Sequence, residues 1–476
     1  MKKIQNLNPI GVKKQMVKNK VKLERRIRMQ KTLDAVKSKS FSIEVFGLGY
    51  VGFPLAVRLA SNGFKVRGID INTQRIERLK NNDLMDSELH LKNEFIHCRE
   101  NKNLELETSS IKSEEPKIGI ISVHTPIPDE NIPSNKFVKE AIENFLETSK
   151  TGDMIILESS VESGTTDEME KIVESKGYKI GKDFGFSFCP ERIDPQNKKW
   201  HLENIPRIIY CSDDTSYKIA EIIYKNVNKA HLLRVDSPRI AEVVKSYENA
   251  FRLVNISLVN ELAMLCDKLG ISVRDVIKAA ATKPFGFMPF YPGAGAGGHC
   301  IPKDPRFLLD AAKKNDLKFS TIENALKINF EIPKYICDSI EGTIEKLGLE
   351  KSVIVCGLTY KPDVEDMRDS PGFKLLNEFR KRNFKVSSYD PYFKKELLSK
   401  YLKENYLKSL DFENKNELVD EDLKNISCLC IVQHHTKSKF RLMEIYDKSL
   451  VPFMYDCQSQ FEKKTTSKTF LDSLGS

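Results

Sequence analysis

The sequence is poor in the residues that staple small extracellular folds. Ten cysteines stand at irregular spacings in 476 residues, beside a single tryptophan. That is too few for a disulfide framework. Cys428-x-Cys430 has no matching second pair, so no zinc site and no other metal is expected. Both lie among Ile426, Leu429 and Ile431, an apolar run that suits a buried strand. No stretch approaches the ~18 consecutive apolar residues of a spanning helix. The basic N-terminus is not followed by an apolar core, so no secretory signal is expected either. A reducing cytoplasm fits this cysteine usage best. With 23 glycines and 20 prolines, collagen-like and low-complexity classes are excluded.

Net charge is also scarce once one segment is set aside. Residues 1–40 hold 13 Lys/Arg against 2 Asp/Glu, and the rest of the chain is close to neutral at −2. A folded basic domain for nucleic acid is therefore disfavoured. Residues 1–40 read as an exposed basic arm, helical in part around Val21–Val36, either a solvated tail or a contact for a membrane surface or partner.

What remains is globular composition long enough for about three domains at ~150 residues each. Ile43–Phe46 is a short apolar strand, a helix runs from about Pro54 to Asn62, and a second strand, Lys65–Ile69, ends at Asp70. That is a β-α-β unit. Further strands at Ile118–Val123, Met154–Leu157 and Phe184–Phe188 imply a doubly wound parallel sheet. Ser237-Pro238 opens a long helix that ends at Gly270. Val243, Val244, Tyr247, Phe251, Val254, Leu258, Leu262 and Leu265 place apolar residues nearly all round it, so it is expected to be buried between domains or subunits, with a homodimer the natural outcome. From about Lys351 strands recur at Val353–Gly357, Phe384–Ser388 and Ile426–Val432, with a helix over Phe373–Arg382. The expected plan is α/β throughout: an arm (1–40), a Rossmann dinucleotide domain (41–236), a central helical domain (237–335) and a second Rossmann-like α/β domain (336–476).

Gly47-Leu-Gly49-Tyr50-Val51-Gly52 sits between the first strand and its helix, where a dinucleotide turn has to be. The first glycine permits the tight turn, the second admits a pyrophosphate and the third lets helix and strand pack closely. The phosphates would meet the free amides of a helix N-terminus. Asp70, at the end of the second strand, is placed to bind both ribose hydroxyls and would repel a 2′-phosphate, which favours NAD over NADP. Arg75 is either an adenosine contact or a plain helix-surface arginine.

The segment Tyr291-Pro-Gly-Ala-Gly-Ala-Gly297-Gly-His-Cys300-Ile-Pro-Lys-Asp304 has almost no side-chain bulk before its cysteine. A polar ligand can lie against such a loop's amides. A thiol beside a nicotinamide pocket suggests covalent catalysis on an aldehyde, with Asp304 holding a water or taking a proton. The plain alternative for Cys300 is a small buried hydrophobe. Lys245 and Asn249 share a helix face at i, i+4 and suit an oxyanion developing at a carbonyl, or else form a polar stripe along a wet cleft. Glu191 follows a strand end, where α/β sites gather.

Taken together these segments resemble the UDP-glucose/GDP-mannose dehydrogenases, nucleotide-sugar enzymes that oxidise a sugar C6 alcohol to an acid. The matching pieces are Gly47–Leu55, Val123-His-Thr125-Pro126, Glu158-Ser-Ser160-Val161 with Gly164-Thr-Thr166, Pro190-Glu191-Arg192, Lys245-x-x-x-Asn249, Gly297–Asp304, and Gly357-Leu-Thr-Tyr-Lys361 with Asp366-x-Arg368-x-Ser-Pro371. Thr282–Tyr291 and Glu191–Pro195 look most like the UDP-N-acetylglucosamine 6-dehydrogenase branch. The resemblance implies a four-electron oxidation with two NAD⁺, a UDP-binding role for the last domain, and a place in surface polysaccharide or glycan synthesis. It implies that Lys245, or a water on Asp304, takes the C6 hydroxyl proton, and that Cys300 forms a thiohemiacetal and then a thioester. Glu191 then assists hydrolysis while Lys245 and Asn249 stabilise the oxyanions. Ser160 takes the place of a family threonine that helps hold the catalytic water. By the same resemblance Gly47, Gly49, Tyr50, Val51, Gly52, Asp70, Arg75, Thr125, Ser160 and Arg368 serve the cofactor. Glu191, Arg192, Lys245, Asn249, Tyr291, Gly297 and Lys361 serve the UDP-sugar. Ala294 and Ser163 stand where the family has proline, and His124 where many members have proline or asparagine. UDP-glucose and UDP-N-acetylmannosamine are alternative substrates. A two-electron dehydrogenase of the 6-phosphogluconate or hydroxyacyl type, and a non-catalytic nucleotide-sugar binder, are the rival functions.

Overall fold

The computed structural model describes residues 29–126, 133–193, 197, 199–393, 413–415 and 417–476. It divides into two compact units, one reaching to Ser246 and the other from Tyr247 to Ser476.

The first unit is built on one eight-stranded sheet. Its elements run α1 (29–37), β1 (Ser42–Phe46), α2 (Gly52–Ser61), β2 (Lys65–Ile69), α3 (Thr73–Lys80), α4 (Lys92–Glu100), β3 (Leu104–Glu107), β4 (Lys117–Ile121), α5 (Lys136–Glu147), β5 (Met154–Leu157), α6 (Thr165–Ser175), β6 (Gly185–Phe188), β7 (Arg207–Cys211), α7 (Asp214–Val227) and β8 (Leu232–Val235). The strand order is β3-β2-β1-β4-β5-β6-β7-β8. Pairing is parallel except between β6 and β7. The central strands are buried on both faces, which is why β5 is a continuous apolar run and why β1 and β4 pair their buried charges, Glu44 and Lys117, with each other at 3.4 Å. The order reverses between β1 and β4, and in open α/β sheets ligands bind outside the strand ends at such a point.

The second unit carries α9 (Val273–Ala280), α10 (Asp304–Lys314) and α11 (Ser320–Lys346), then a six-stranded sheet. Its strands are β9 (Ser352–Cys356), β10 (Lys385–Tyr389), β11 (Glu413–Lys415), β12 (Cys428–Ile431), β13 (Phe453–Asp456) and β14 (Phe470–Ser473), with α12 (Pro371–Lys381) following β9. The order β11-β10-β9-β12-β13-β14 repeats the first six positions of the other sheet, here with every pair parallel. Cys428 and Cys430 lie fully buried on β12, as the apolar run requires.

The long helix, α8 (Pro238–Leu269), is 32 residues in one piece, and the division between units falls inside it. At ~1.5 Å per residue it is about 48 Å long. The burial expected between domains or subunits is not completed by the described residues of one chain. Tyr247 is 60% exposed, Leu258 62% and Leu265 53%, with Val243 and Phe251 also exposed. The spacing of four or seven residues collects these side chains into one stripe, which the described residues of a single chain leave bare.

The basic arm needs correction at its C-terminal end. Residues 1–28 lie outside the described residues. In α1, Met29, Leu33 and Val36 are buried while Lys31 and Lys37 are exposed. The apolar side chains recur at i, i+4 and i+7, so one helix stripe enters the core beneath a basic outer face. Thr32 Oγ1 donates to the Gly152 carbonyl at 2.7 Å. A side chain at Gly185 would meet Met29 Cε at 3.0 Å, so the helix sits against the start of β6. Leu33→Ala is expected to lower stability by about 2–4 kcal/mol, as for other buried leucines. Urea titration of the intact chain measures this, and an unchanged midpoint would show the helix to be peripheral.

Candidate active site

At the C-terminal ends of β1 and β2 the three glycines of the first turn divide the work as their positions require. Gly47 has φ +88°, and a Cβ there would meet the Ser122 carbonyl oxygen at 2.5 Å. A Cβ on Gly52 would collide with the Gly47 carbonyl, which is the close helix–strand contact. Among the described residues nothing lies within 4 Å of a Cβ on Gly49, so that face has room for a ligand. Helix α2 starts at Gly52 and receives no side-chain cap. In its first turn the Phe53 amide donates to the Gly49 carbonyl at 3.1 Å and Pro54 has no amide, which leaves the Gly52 amide, next to Val51, for an anion. Asp70 takes the Leu48 amide on Oδ2 at 2.9 Å and the Asn72 amide on Oδ1 at 2.8 Å. The carboxylate is immobilised at the strand end and only half-buried, as a ribose-binding group has to be. These residues fit NAD. The Arg75 side chain is engaged within the protein instead. It reaches the Leu48 carbonyl at 3.1 Å, pairs with Glu88 and lies 5.2 Å over the Phe53 ring. Thr125, after β4, donates to the Ser160 carbonyl at 2.6 Å and ties together the loops after β4 and β5.

Glu191, after β6, is buried with both oxygens engaged. Oε1 accepts the Arg192 and Ile193 amides at 2.6 and 2.7 Å, and Oε2 accepts Arg207 Nη1 at 2.9 Å. Arg207 also donates to Glu158 at 2.8 Å. Burial pushes Glu158 up to about 7, with the Arg207 charge opposing the rise and the Glu191 charge adding to it. Burial works against the charge of Arg207, but the acidic groups around it hold the guanidinium protonated. Arg192 is turned to the Pro206 carbonyl, 2.9 Å away. Asp194 and Pro195 of the same motif lie outside the described residues.

Glu242, in the first turns of α8, accepts the Gly164 and Thr166 amides at 2.7 and 2.8 Å and the Thr166 hydroxyl at 2.7 Å. It supplies the cap that Gly164 cannot give α6. Lys245 stands one turn further along α8, half-buried and without a hydrogen bond or ion pair among the described residues.

In the second unit Asn249 and Asp304 come together. Asn249 Nδ2 donates to Asp304 Oδ2 at 2.7 Å, and both residues are buried. Asp304 begins α10, and its amide returns to the Cys300 carbonyl at 2.8 Å. Cys300 is exposed, whereas the other nine cysteines are buried. The alternative of a small core hydrophobe is thereby removed for Cys300.

The bareness of the loop before Cys300 has a reason beyond ligand access. A Cβ on Gly297 would meet the Asp369 carbonyl at 2.7 Å, and one on Gly298 the Tyr360 ring at 2.7 Å. The loop is small because the chain's own segment after β9 presses on it. Gly298 N–H donates to the Arg368 carbonyl at 2.9 Å, while the Arg368 guanidinium pairs with Asp366. Lys361 lies in the same segment, its carbonyl accepting the Thr359 hydroxyl at 2.8 Å. Tyr291 is 51% exposed and carries Arg274 5.0 Å over its ring. Two buried asparagines that sequence reading missed hold the loop. Asn329 accepts the Ala296 amide at 2.5 Å and donates to its carbonyl at 3.0 Å, and Asn260 accepts the Gly293 amide at 3.0 Å. They stand on long helices at ordinary core spacing, and nothing local marks them out.

The glycine turn, the uncapped helix start and the strand-end carboxylate define an NAD-binding dehydrogenase. The NAD binding domain of the UDP-glucose/GDP-mannose dehydrogenase family matches residues 41–228, the central domain of that family residues 239–331 and its UDP binding domain residues 354–463. The chain is 34% identical over 415 residues to a UDP-N-acetyl-D-mannosamine dehydrogenase of Methanococcus vannielii, covering 86% of this chain and 90% of that one. It is 32% identical over 355 residues to the UDP-N-acetyl-D-glucosamine 6-dehydrogenase of Salmonella typhi, covering 74% and 82%. The solved UDP-D-ManNAc dehydrogenase of Pyrococcus horikoshii superposes with a TM-score of 0.79 at 27% identity, covering 91% of this chain and 99% of that one. The chain belongs to the UDP-glucose/GDP-mannose dehydrogenase family, and it is an NAD-dependent nucleotide-sugar dehydrogenase.

The raised Glu158 carboxyl gives a pH signature. Its folded value, about 7, lies above the ordinary carboxyl value of 4.5, so the folded state holds the proton more tightly. The resulting stabilisation is fully present below the unfolded value and is lost as pH rises through about 7. Glu158→Gln is expected to flatten the melting temperature between about pH 5 and about pH 8 relative to the parent. Parallel curves from thermal melts would contradict it.

Proposed function

We propose that the chain oxidises the C6 hydroxyl of a UDP-N-acetylhexosamine, UDP-N-acetylglucosamine foremost, to the uronic acid in four electrons, in the cytoplasm, for surface polysaccharide or glycan synthesis. The observation that carries the chemistry is Cys300: one exposed thiol among ten cysteines, at the end of a backbone-rich loop and one turn before a buried aspartate. The choice of sugar is supported by the resemblance of Thr282–Tyr291 to the UDP-N-acetylglucosamine branch. A second reading, UDP-N-acetylmannosamine, is favoured by the identity to the Methanococcus vannielii dehydrogenase. UDP-glucose is the third candidate.

When bound at the Gly47–Gly52 turn, NAD accepts the hydrides that the oxidation releases. The residues of the chain supply the rest. Lys245, half-buried and with its side chain unpaired among the described residues, or a water held by Asp304, takes the C6 hydroxyl proton. The Cys300 sulfur adds to the aldehyde carbon to give a thiohemiacetal, whose further oxidation leaves a thioester and keeps the aldehyde from escaping. Asn249 is fixed by its bond to Asp304, so its amide is preorganised toward an oxyanion rather than free to rotate. Ser160 holds the hydrolytic water, and Glu191 accepts its proton.

Supplied with a panel of UDP-sugars, the protein is expected to form two NADH per UDP-N-acetylglucosamine. Cys300→Ser is expected to abolish steady-state acid formation. One NADH per sugar would select the two-electron rival, binding without turnover the non-catalytic one, and faster turnover of UDP-N-acetylmannosamine the second sugar.

We further propose a homodimer joined through the exposed apolar stripe of α8. Leaving Tyr247, Leu258 and Leu265 bare to water is unfavourable by about 25 cal/mol per Å² of apolar surface. Light scattering is expected to show a particle of twice the 54.5 kDa chain mass. Leu258→Glu is expected to halve it, and a monomeric parent protein would refute the assignment.

A further inference from the structure

Behind Glu191 the first unit buries more charge than the proposed reaction requires. Arg207 is 2% exposed and gives each donor arm a different partner. Nη1 reaches Glu191 at 2.9 Å, Nη2 reaches Glu158 at 2.8 Å and Nε reaches Cys189 Sγ at 3.3 Å. The guanidinium lies 4.5 Å over the Tyr224 ring, and the Tyr224 hydroxyl donates to the same Glu158 oxygen at 2.5 Å. The other Glu158 oxygen is buried and has no hydrogen-bond partner among the described residues. One guanidinium therefore serves two carboxyl groups in a water-poor pocket whose other titratable neighbours are Tyr224 and Cys189.

Lone pairs can be counted here. Glu191 Oε1 accepts two backbone amides and Oε2 accepts Arg207. Each carboxylate oxygen offers about two acceptor sites, so one remains, on Oε2. Its direction is set by where Arg207 stands, and Arg207 in turn is held from behind by Glu158.

We propose that Arg207 and Glu158 are positioning residues for Glu191: Arg207 aims the single open lone pair of Glu191 Oε2 at the attacking water, and Glu158 holds Arg207 in place while competing for its charge. This rests on the role of Glu191 in thioester hydrolysis proposed above. In that step the water oxygen bonds to the acyl carbon and its proton passes to Glu191 Oε2. The carbon–sulfur bond breaks with its electron pair going to the Cys300 sulfur, and nothing is oxidised or reduced. A carboxylate held by three donors and open at one site acts as a base in one direction only. The cost is a second buried acid close by, bonded through one oxygen only among the described residues, which burial and the Glu191 charge both tend to keep protonated.

The test uses the full chain with NAD and the UDP-sugar that the panel selects. Arg207→Lys keeps the charge but loses the fork that reaches both carboxyls. It is expected to lower kcat by about tenfold or more, with KM falling alongside so that kcat/KM stays within about threefold, because the base that serves only the hydrolysis has been misaligned. A pre-steady-state burst of NADH and an acyl adduct on Cys300, read by mass spectrometry, should accompany the loss. A folded Arg207→Lys protein with parental turnover and no adduct would overturn the proposal. If that variant does not fold, Glu158→Ala decides. It removes the oxygen that holds Arg207 Nη2, so kcat should fall by about tenfold with the acyl adduct on Cys300. A folded Glu158→Ala protein with parental turnover and no adduct would overturn the proposal. Full turnover by Glu191→Gln would remove the role of Glu191 itself. An impaired Glu191→Gln beside a parental Arg207→Lys would remove only the positioning.

Discussion

The Leu48 amide donates to Asp70 across the top of the first sheet, and the Leu358 amide donates to Asp390 across the top of the second, at 2.9 and 2.6 Å. Each bond closes a turn that begins with a glycine at positive φ, Gly47 at +88° and Gly357 at +99°. Each turn is followed by a helix whose glycine, Gly52 or Gly372, packs on the carbonyl of that first glycine. A strand-end carboxylate thus locks the loop between strand and helix in both units, and the loops that bear function hang from these locks. The two locks differ in what they leave free. Asp70 is half-buried, whereas Asp390 is fully buried and meets His435 Nε2 at 3.2 Å. The same device leaves its carboxylate half-exposed in one unit and sealed in the other.

Helix α8 brings a second constraint. Its residues two apart point to opposite sides, so Lys245 and Asn249 share one face while Tyr247 lies on another. The polar face is tethered at both ends of the functional stretch, by Glu242 at the start of α6 and by Asn249 at Asp304. A helix that long bends and slides unless something fixes it, and these two bonds fix its height against each unit separately. Three elements of the proposed chemistry, the lysine, the asparagine and the loop before Cys300, inherit their positions from it.

Much of this was legible in the sequence because it depends on local rules. The Gly47–Gly52 turn, Asp70 and the strands around them follow from spacing alone, and Cys300 stands out because the glycines before it leave so little else. Legibility failed where the deciding partner is distant in the chain. Arg75 reads as a helix-surface cation and is taken by Glu88, 13 residues away. Arg207 opens β7, inside the sheet between β6 and β8, and its partner Glu158 lies 49 residues before it, where no local pattern links the two. Asn260 and Asn329 look like core polar residues and become loop clamps only through contacts 33 residues away in each case. Helix periodicity found the apolar stripe of α8 but not the side left uncovered, because periodicity reports that a surface is to be buried and is silent on what buries it.

Helix α1 has a consequence for the order in which the chain becomes structured. Its anchors, Gly152 and the Gly185–Ser216 contact region, are 120 residues and more downstream. A ribosome delivers the N-terminus first, so this helix emerges with its apolar stripe of Met29, Leu33 and Val36 long before a surface exists to receive it. Only when the strand containing Gly185 has left the exit tunnel can the segment dock. Closing so wide a loop is entropically expensive and slow to search. A segment that is made well before its partners is thus among the last of its unit to settle.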